Sequence, residues 1–252
     1  MELSEKYRFD LAEIRNDASK MGLLCFRQKC DRRIERLRIA TALFNDLRIE
    51  DYGLVRFLFT QELKMKLKDP DDSNMYNLRL IGLLLCKFRN PEDIWLFYNI
   101  HKIDKNFAIE FVLAIGLSGV YHYLREVTHI DKPQLVKRIG SSALKAKYSQ
   151  EKIDFWMEDE EDFFDVFRFP SKDELRLAAI LKEKERVQEL LPRWTDQQKS
   201  WTDDQLFTYI NYVQEYADDI DLEIQALRLY VSKYQNKLAE GYKKRLAEIR
   251  YR

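Results

Sequence analysis

Residues 76–126 read YNLRLIGLLLCKFRNPEDIWLFYNIHKIDKNFAIEFVLAIGLSGVYHYLRE, a series of apolar runs broken by short polar interruptions. The spacing predicts successive helices over Tyr76–Phe88, Pro91–Ile103, Phe107–Gly116 and Ser118–Glu126. The punctuation within Asn90-Pro91-Glu92-Asp93 has a mechanism. Asn90 can cap the first turn, and Pro91 fits the first helical position, where the N–H it lacks would be unpaired anyway. Glu92 and Asp93 favour the positive end of the helix dipole. Connectors this short bring neighbouring helices together antiparallel.

The rest of the chain extends this pattern. Only 7 glycines and 5 prolines occur in 252 residues, against ordinary frequencies of about 7% and 5%. Sheets need turn residues every strand or two, so the scarcity selects an all-α fold of stacked antiparallel helix pairs, either α-solenoid-like or a large helical bundle. Phe26, Cys30, Ile34, Leu37, Thr41 and Phe44 recur at helical steps and predict one long amphipathic helix from Leu23. Tyr52–Leu67 repeats the pattern before Asp69-Pro70-Asp71-Asp72 stops it. Capping boxes are expected at Ser171 with Glu174, Thr195 with Gln198 and Thr202 with Gln205, and the helix opened by Ser171 is expected to end near Pro192. These signals cut the chain into roughly ten to fourteen helices. The organisation read from them is an N-terminal helical array over 1–148, an acidic and aromatic connector over 149–170 and a C-terminal helical part over 171–252, with one continuous domain as the other reading.

Gly82 and Gly116 lie 34 residues apart inside similar apolar runs, a spacing that suits a two-helix repeat. On these runs and on Asn90, Pro91, Glu92, Asp93, Ile94 and Trp95 the segment resembles the α-solenoid class of HEAT and armadillo repeat proteins, of a bacterial type carrying an Asn-Pro-Glu-Asp-hydrophobic-Trp element. The resemblance covers only this part of the chain. It implies a binding surface and no reaction.

Composition narrows the function classes. The 43 basic and 43 acidic side chains cancel, which argues against a chain built wholly to coat nucleic acid or an anionic membrane. Cys25, Cys30 and Cys86 form an odd set without CxxC spacing, expected as buried thiols in a reducing compartment. The charged amino terminus lacks the apolar region of a signal peptide, and the longest apolar run, Phe111–Tyr121, is about half of what spans a bilayer. The expectation is a cytoplasmic protein without a membrane partner. His101, His122 and His129 match no zinc spacing, Gly140-Ser141-Ser142 lacks the setting of a nucleophile elbow, and no nucleotide-binding glycine pattern occurs. No cofactor and no catalytic residue is implied.

Charge is distributed in blocks. Arg27, Lys29, Arg32, Arg33, Arg36 and Arg38 stand against Asp31 and Glu35, with Lys29, Arg33 and Arg36 at helical spacing on a face expected to point away from Cys30, Ile34 and Leu37. Arg32, Arg33 and Arg36 are therefore candidates to bind a partner, joined by Trp95 and Tyr98 if the aromatic positions there form a groove. Glu158-Asp159-Glu160-Glu161-Asp162 reads as a solvated loop, although Phe155, Trp156, Phe163 and Phe164 on either side should anchor. Glu215, Asp219 and Glu223 at four-residue spacing are weak metal candidates, the plainer reading of Asp218–Asp221 being a junction between two helices. Ile220, Ile224, Leu227, Val231, Tyr234 and Leu238 form a heptad-like seam, expected to pair with Gln205–Tyr216 or to serve a homo-oligomer. The functional expectation is a non-catalytic helical scaffold or adaptor for a protein partner. A nucleic-acid-binding module using the basic 27–38 face and a metal-dependent all-α enzyme using the 215–223 carboxylates are the alternatives.

Overall fold

The computed structural model describes residues 6–27, 32–72, 75–140, 148–165, 172–234 and 237–250. They form an all-α structure of packed neighbouring helices, with no strand among the described residues. The chain separates into two compact units, Met1–Phe164 and Asp165–Arg252.

In the first unit, α1 (Arg8–Asn16) leads through a 3-10 segment (Ala18–Leu24) to α2 (Arg33–Asn45), α3 (Tyr52–Lys68) and α4 (Tyr76–Cys86). Next come α5 (Ile94–Ile103), α6 (Glu110–Ala114), α7 (Leu117–Glu126), α8 (Lys132–Gly140) and α9 (Gln150–Phe164). Asn90 caps as its sequence predicts, its side chain accepting from the Glu92 N–H at 3.1 Å. The carboxylate of Asp93 is buried and takes Arg56 Nε at 2.8 Å, so the same element ties the start of α5 to α3.

The expected long helix from Leu23 is interrupted. Residues 18–24 are 3-10, Cys25 is extended, Phe26 is not helical and α2 begins only at Arg33, while Cys30 lies outside the described residues. α2 is also enclosed, with Arg36, Leu37 and every residue from Ile39 to Leu43 buried. A helix surrounded on nearly all sides has no outer face to present, and a charge on it must be paired. Arg36 is 0% exposed. Its Nε donates to Glu62 of α3 and its Nη1 donates to the Leu24 carbonyl at 3.1 Å. Asn77 of α4 donates to the Arg33 carbonyl at 3.0 Å and to Glu62 at 3.4 Å, closing a network across four elements.

A second layer is aromatic. Phe107 stacks on Phe111 at 4.4 Å between centroids, and Phe59 meets Phe97 edge-on at 5.1 Å. Trp156 of α9 meets Phe111 edge-on at 4.8 Å. Gly82 lets α4 come close to this layer, since a Cβ there would lie 3.2 Å from Phe111 Cε1 and 3.4 Å from Phe59 Cε2. Gly116 does something different, adopting φ +123° in the turn before α7. The two glycines are thus not equivalent positions of one repeat unit.

The acidic stretch at 158–162 is not a loop. It belongs to α9, where Glu160 is buried against Arg79, at 2.8 and 3.1 Å, and Glu161 pairs with Lys87 at 3.1 Å. Phe164 packs edge-on against Tyr76 at 5.1 Å, an anchoring contact of the kind expected for the flanking aromatics, whereas Phe155 is exposed.

The second unit contains α10 (Lys172–Ile180), α11 (Lys184–Asp196), α12 (Asp203–Tyr212), α13 (Ile220–Lys233) and α14 (Lys237–Arg250). Ser171 lies outside the described residues. The chain expected to run as one helix to Pro192 breaks at Lys182, whose φ is +56°, and Pro192 sits inside α11 without ending it. Thr195 belongs to the last turn of α11 and caps nothing, its hydroxyl donating to the Pro192 carbonyl. Thr202 and Gln205 form the reciprocal capping box. α13 packs on α12 and α14 through Glu223, Ala226, Leu227 and Tyr230. Of the expected seam Leu227 alone is fully buried, while Ile220 and Leu238 are exposed. Among the described residues no helix is long and apolar enough to cross a membrane.

Three outcomes follow for stability. Glu62→Ala leaves the Arg36 guanidinium buried without its anion and is expected to lower unfolding free energy by about 3–5 kcal/mol in urea titration. Gly82→Val forces the Phe59 and Phe111 rings aside and should cost about 1–3 kcal/mol by the same measurement. Asp46 is held down to about 2, by Arg48 first and then by Arg15, whose guanidinium lies 2.7 Å away. A carboxylate depressed in the folded state stabilises above its ordinary range and loses that effect as pH falls through its folded pKa. Thermal stability should therefore decline from about pH 4 toward pH 2, and Asp46→Asn should flatten that part of the profile.

Candidate cleft between helices α7 and α8

Gly116, at the N-cap of α7, reverses the chain leaving α6, and the first free N–H of α7, that of Leu117, donates to Gln150 of α9 at 3.0 Å. The α7–α8 turn is fixed to α5 by three contacts. The Trp95 indole stacks on the His129 ring at 3.7 Å and 8°, its Nε1 donates to the Tyr123 hydroxyl at 3.2 Å, and Lys102 pairs with Asp131 at 2.7 Å. Within the turn, the Asp131 N–H donates to His129 Nδ1 at 3.1 Å. Lys132 Nζ donates to the carbonyls of Arg125, in the last turn of α7, and of Val127, its C-cap, at 3.3 and 2.9 Å.

A cleft of about 920 Å³ opens between the two helices so held. Its buried walls are Leu124 and Ile139, and Val136 offers an exposed apolar surface. Tyr121 is fixed across it, donating to the Ile139 carbonyl at 3.2 Å. The polar lining is basic, with Arg125, Lys132 and His122. Arg125 is exposed and has no ion-pair partner among the described residues, whereas His122 lies 3.5 Å from Glu126. An apolar floor beside a free guanidinium suits an apolar group that also carries a negative charge.

The residues expected to bind a partner are distributed differently. Arg32 is exposed and bonds Glu35 at 2.7 Å, Arg33 pairs with Asp72, and Arg36 is the buried partner of Glu62. Arg38 covers the Tyr7 ring at 5.4 Å, and Lys29 lies outside the described residues. These arginines do not share a solvent-facing surface, which removes Arg36 from any docking role. Tyr98 is buried beneath Lys102, and Trp95 is half-buried under His129. Both support the cleft from behind without lining it. Tyr121 and Arg125 do line it, and the visible signal for them is the strong amphipathicity of Leu117–Glu126.

Glu215, Asp219 and Glu223 do not lie on one continuous helical face. Glu215 falls in a π-helical turn (Val213–Ala217), Asp218 then takes φ +51°, and Asp219 caps α13 by accepting from Leu222 N at 3.0 Å. Glu223 is buried, accepting from Arg245 at 3.0 and 3.3 Å and from Gln214 at 3.1 Å. Among the described residues no group of three or more His, Cys, Asp or Glu side chains is placed to hold a metal ion. Cys86 is buried and Cys25 half-buried, both free thiols. No protein-family model matches the chain, and no curated protein and no solved structure is significantly similar to it.

Trp95→Ala removes the stack and the Tyr123 bond together. Hydrogen exchange should accelerate in residues 127–132 well beyond any change in α2–α4, and unchanged protection there would refute the assignment of Trp95 as the pin of the turn.

Proposed function

We propose that this protein is a non-catalytic helical adaptor that holds an acidic, amphipathic segment of a protein partner in the α7–α8 cleft. The carrying observation is the cleft itself, whose Leu124, Val136 and Ile139 surfaces lie beside Arg125, which has no ion-pair partner among the described residues. Apolar side chains of the segment would occupy the floor and a carboxylate would meet Arg125, a division in which packing supplies affinity and charge supplies orientation and on-rate. The first unit then acts as a short α-solenoid-like stack that presents α7 and α8, consistent with the resemblance carried by residues 76–126. The partner-binding role expected of Arg32, Arg33 and Arg36 passes to Arg125, with Lys132 fixing the turn, while Trp95 and Tyr98 support it from behind.

The test places a photo-cross-linking amino acid at Val136, and a second at exposed Lys64 as the control. Cross-linked partner peptides specific to position 136, rich in Asp or Glu and apolar residues, are expected. Arg125→Glu should reduce the yield by about tenfold or more, the cost of losing one charged contact and gaining a repulsion. Equal labelling from both positions, or labelling at 136 that survives Arg125→Glu, would overturn the reading.

A further inference from the structure

The chain carries a surface that matches its own α7–α8 cleft. α9 buries Ile153, Glu160 and Phe164 and turns its other side to solvent, where Glu151, Lys152, Asp154, Phe155, Glu158 and Asp159 are exposed. Phe155 is 64% exposed. Glu151 precedes it by one turn, and Glu158 and Asp159 follow it by one turn, so acids and ring form a row of about 12 Å along the helix. Glu160 and Glu161 of the same acidic run are taken by Arg79 and Lys87. Glu151, Glu158 and Asp159 form no ion pair among the described residues. A phenyl ring held in water gains free energy on burial, and acids around it favour a basic place to bury it. Two other phenylalanines are exposed among the described residues and lack this setting. Near Phe9 the Glu13 carboxylate is held by Lys20, and Phe207 has acids only on the preceding turn, Asp203 and Asp204.

We propose that the partner held in the α7–α8 cleft is a second copy of this chain, which inserts the Phe155 face of its α9. The inference rests on the adaptor reading above and names its occupant. No residue of α9 lines the cleft of its own chain, so the site is open to another copy. Cleft and face correspond in order as well as in kind. Lys132 bonds the Arg125 carbonyl and Tyr121 bonds the Ile139 carbonyl, so the cleft runs from a basic end beside the α7–α8 turn to an apolar end at Leu117, Ile139 and Gly140. Leu117 and Arg125 are eight residues apart on α7, again about 12 Å. With the incoming Phe155 ring against Leu124, Val136 and Ile139, the paired acids one turn further, Glu158 and Asp159, meet Arg125. Glu151 then lies toward the apolar end, its charge offset by the adjacent Lys152. A helix suits these walls because it satisfies its own backbone, whereas α7 and α8 use theirs internally and offer an extended segment no ladder. A closed pair and an open series of copies both use this one contact.

Sedimentation equilibrium of the intact chain over a concentration series reads the association. Self-association is expected, weakened about tenfold or more by Phe155→Ser, by Arg125→Glu and by Glu158→Arg combined with Asp159→Arg. All four side chains are exposed, so the variants should keep the wild-type fold, which circular dichroism checks. Joining Arg125→Glu to Glu158→Arg and Asp159→Arg reverses both sides of the contact and should recover most of the lost affinity, which damage to the fold would not do. In mixtures with isotope-labelled chain, a photo-cross-linker at Val136 should join one copy to residues 151–159 of another. The proposal is overturned by a monomer at every concentration up to about millimolar, by association unchanged in the variants, by failure of the triple variant to recover it, or by cross-links to a different segment of the second copy. A monomeric chain whose position 136 labels another protein overturns the second-copy assignment and leaves the adaptor reading standing. Labelling at 136 that survives Arg125→Glu overturns both.

Discussion

The buried contact between Arg36 and Glu62 constrains the first unit more than any other. Both side chains are almost completely removed from water, where an isolated charge is heavily penalised, and each is tolerable only in the presence of the other. Burial pushes the Glu62 carboxyl up, and the arginines at 36 and 33 pull in the opposite direction. The pair is consequently intolerant of displacement. It orders α2 against α3, and the remaining donors of Arg36 and Asn77 draw in the Leu24 carbonyl and α4. Such a contact is weak evidence for net stability, because a packed apolar pair could serve as well energetically. Its effect here is geometric, since it admits one register of α2 among its neighbours.

That register propagates toward the cleft. Lys66, one turn beyond Glu62 on α3, is itself buried and pairs with Asp104 at 2.7 Å, which fixes the chain as it leaves α5. Phe107 and Phe111 follow and close the aromatic layer over Phe59 and Phe97. α5 then serves two purposes with opposite sides. Phe97, Ile100 and His101 face inward, while Trp95 and Lys102 reach the α7–α8 turn. The helices that line the cleft are thus held by side chains of a helix that contributes nothing to its lining, so the residues that position the cleft are not those that form its walls.

The fold class was legible because it rests on a global shortage of glycine and proline and on local caps whose chemistry is self-contained, as at Asn90 and Thr202. Features that depend on which neighbours surround a helix were not legible. Periodicity around Ile34 and Leu37 suggested a polar face for Arg36, but on a helix enclosed along most of its length a charge obeys pairing and not periodicity. The five-acid run looked solvated because its partners, Arg79 and Lys87, are more than seventy residues away in sequence. The carboxylates at 215, 219 and 223 shared a face only on the assumption of an unbroken helix, which the left-handed Asp218 ends. Thr195 met the capping pattern yet lay at a helix end, where no free N–H awaits it. Of the cleft, the amphipathic α7 was visible, whereas the separation of α7 from α8 follows from tertiary contacts of Trp95 and Lys102.

Balanced composition conceals how unevenly the charges are used. Much of the arginine complement of this chain is committed to internal anions: Arg15 to Asp46 and Asp51, Arg56 to Asp93, Arg79 to Glu160, Arg186 to Glu174 and Arg245 to Glu223. Guanidinium groups paired in this way, most of them bidentate or multiply bonded, act as structural ties between elements, and their positive charge is neutralised where it stands. The clustered arginines of the 27–38 block belong in part to this class, which is why their density in sequence is a poor guide to a binding surface. Arg125, Lys105 and Arg138 are scattered in sequence, and none forms an ion pair among the described residues. The fold gathers them around two concave sites that share Ile139 and Tyr148 as walls. Uncommitted charge next to a concavity can change its energy when a ligand arrives, and charge already neutralised by the fold can do so only by breaking the fold. Among the described residues, such uncommitted charge beside a concavity lies at the corner formed by α5 to α8.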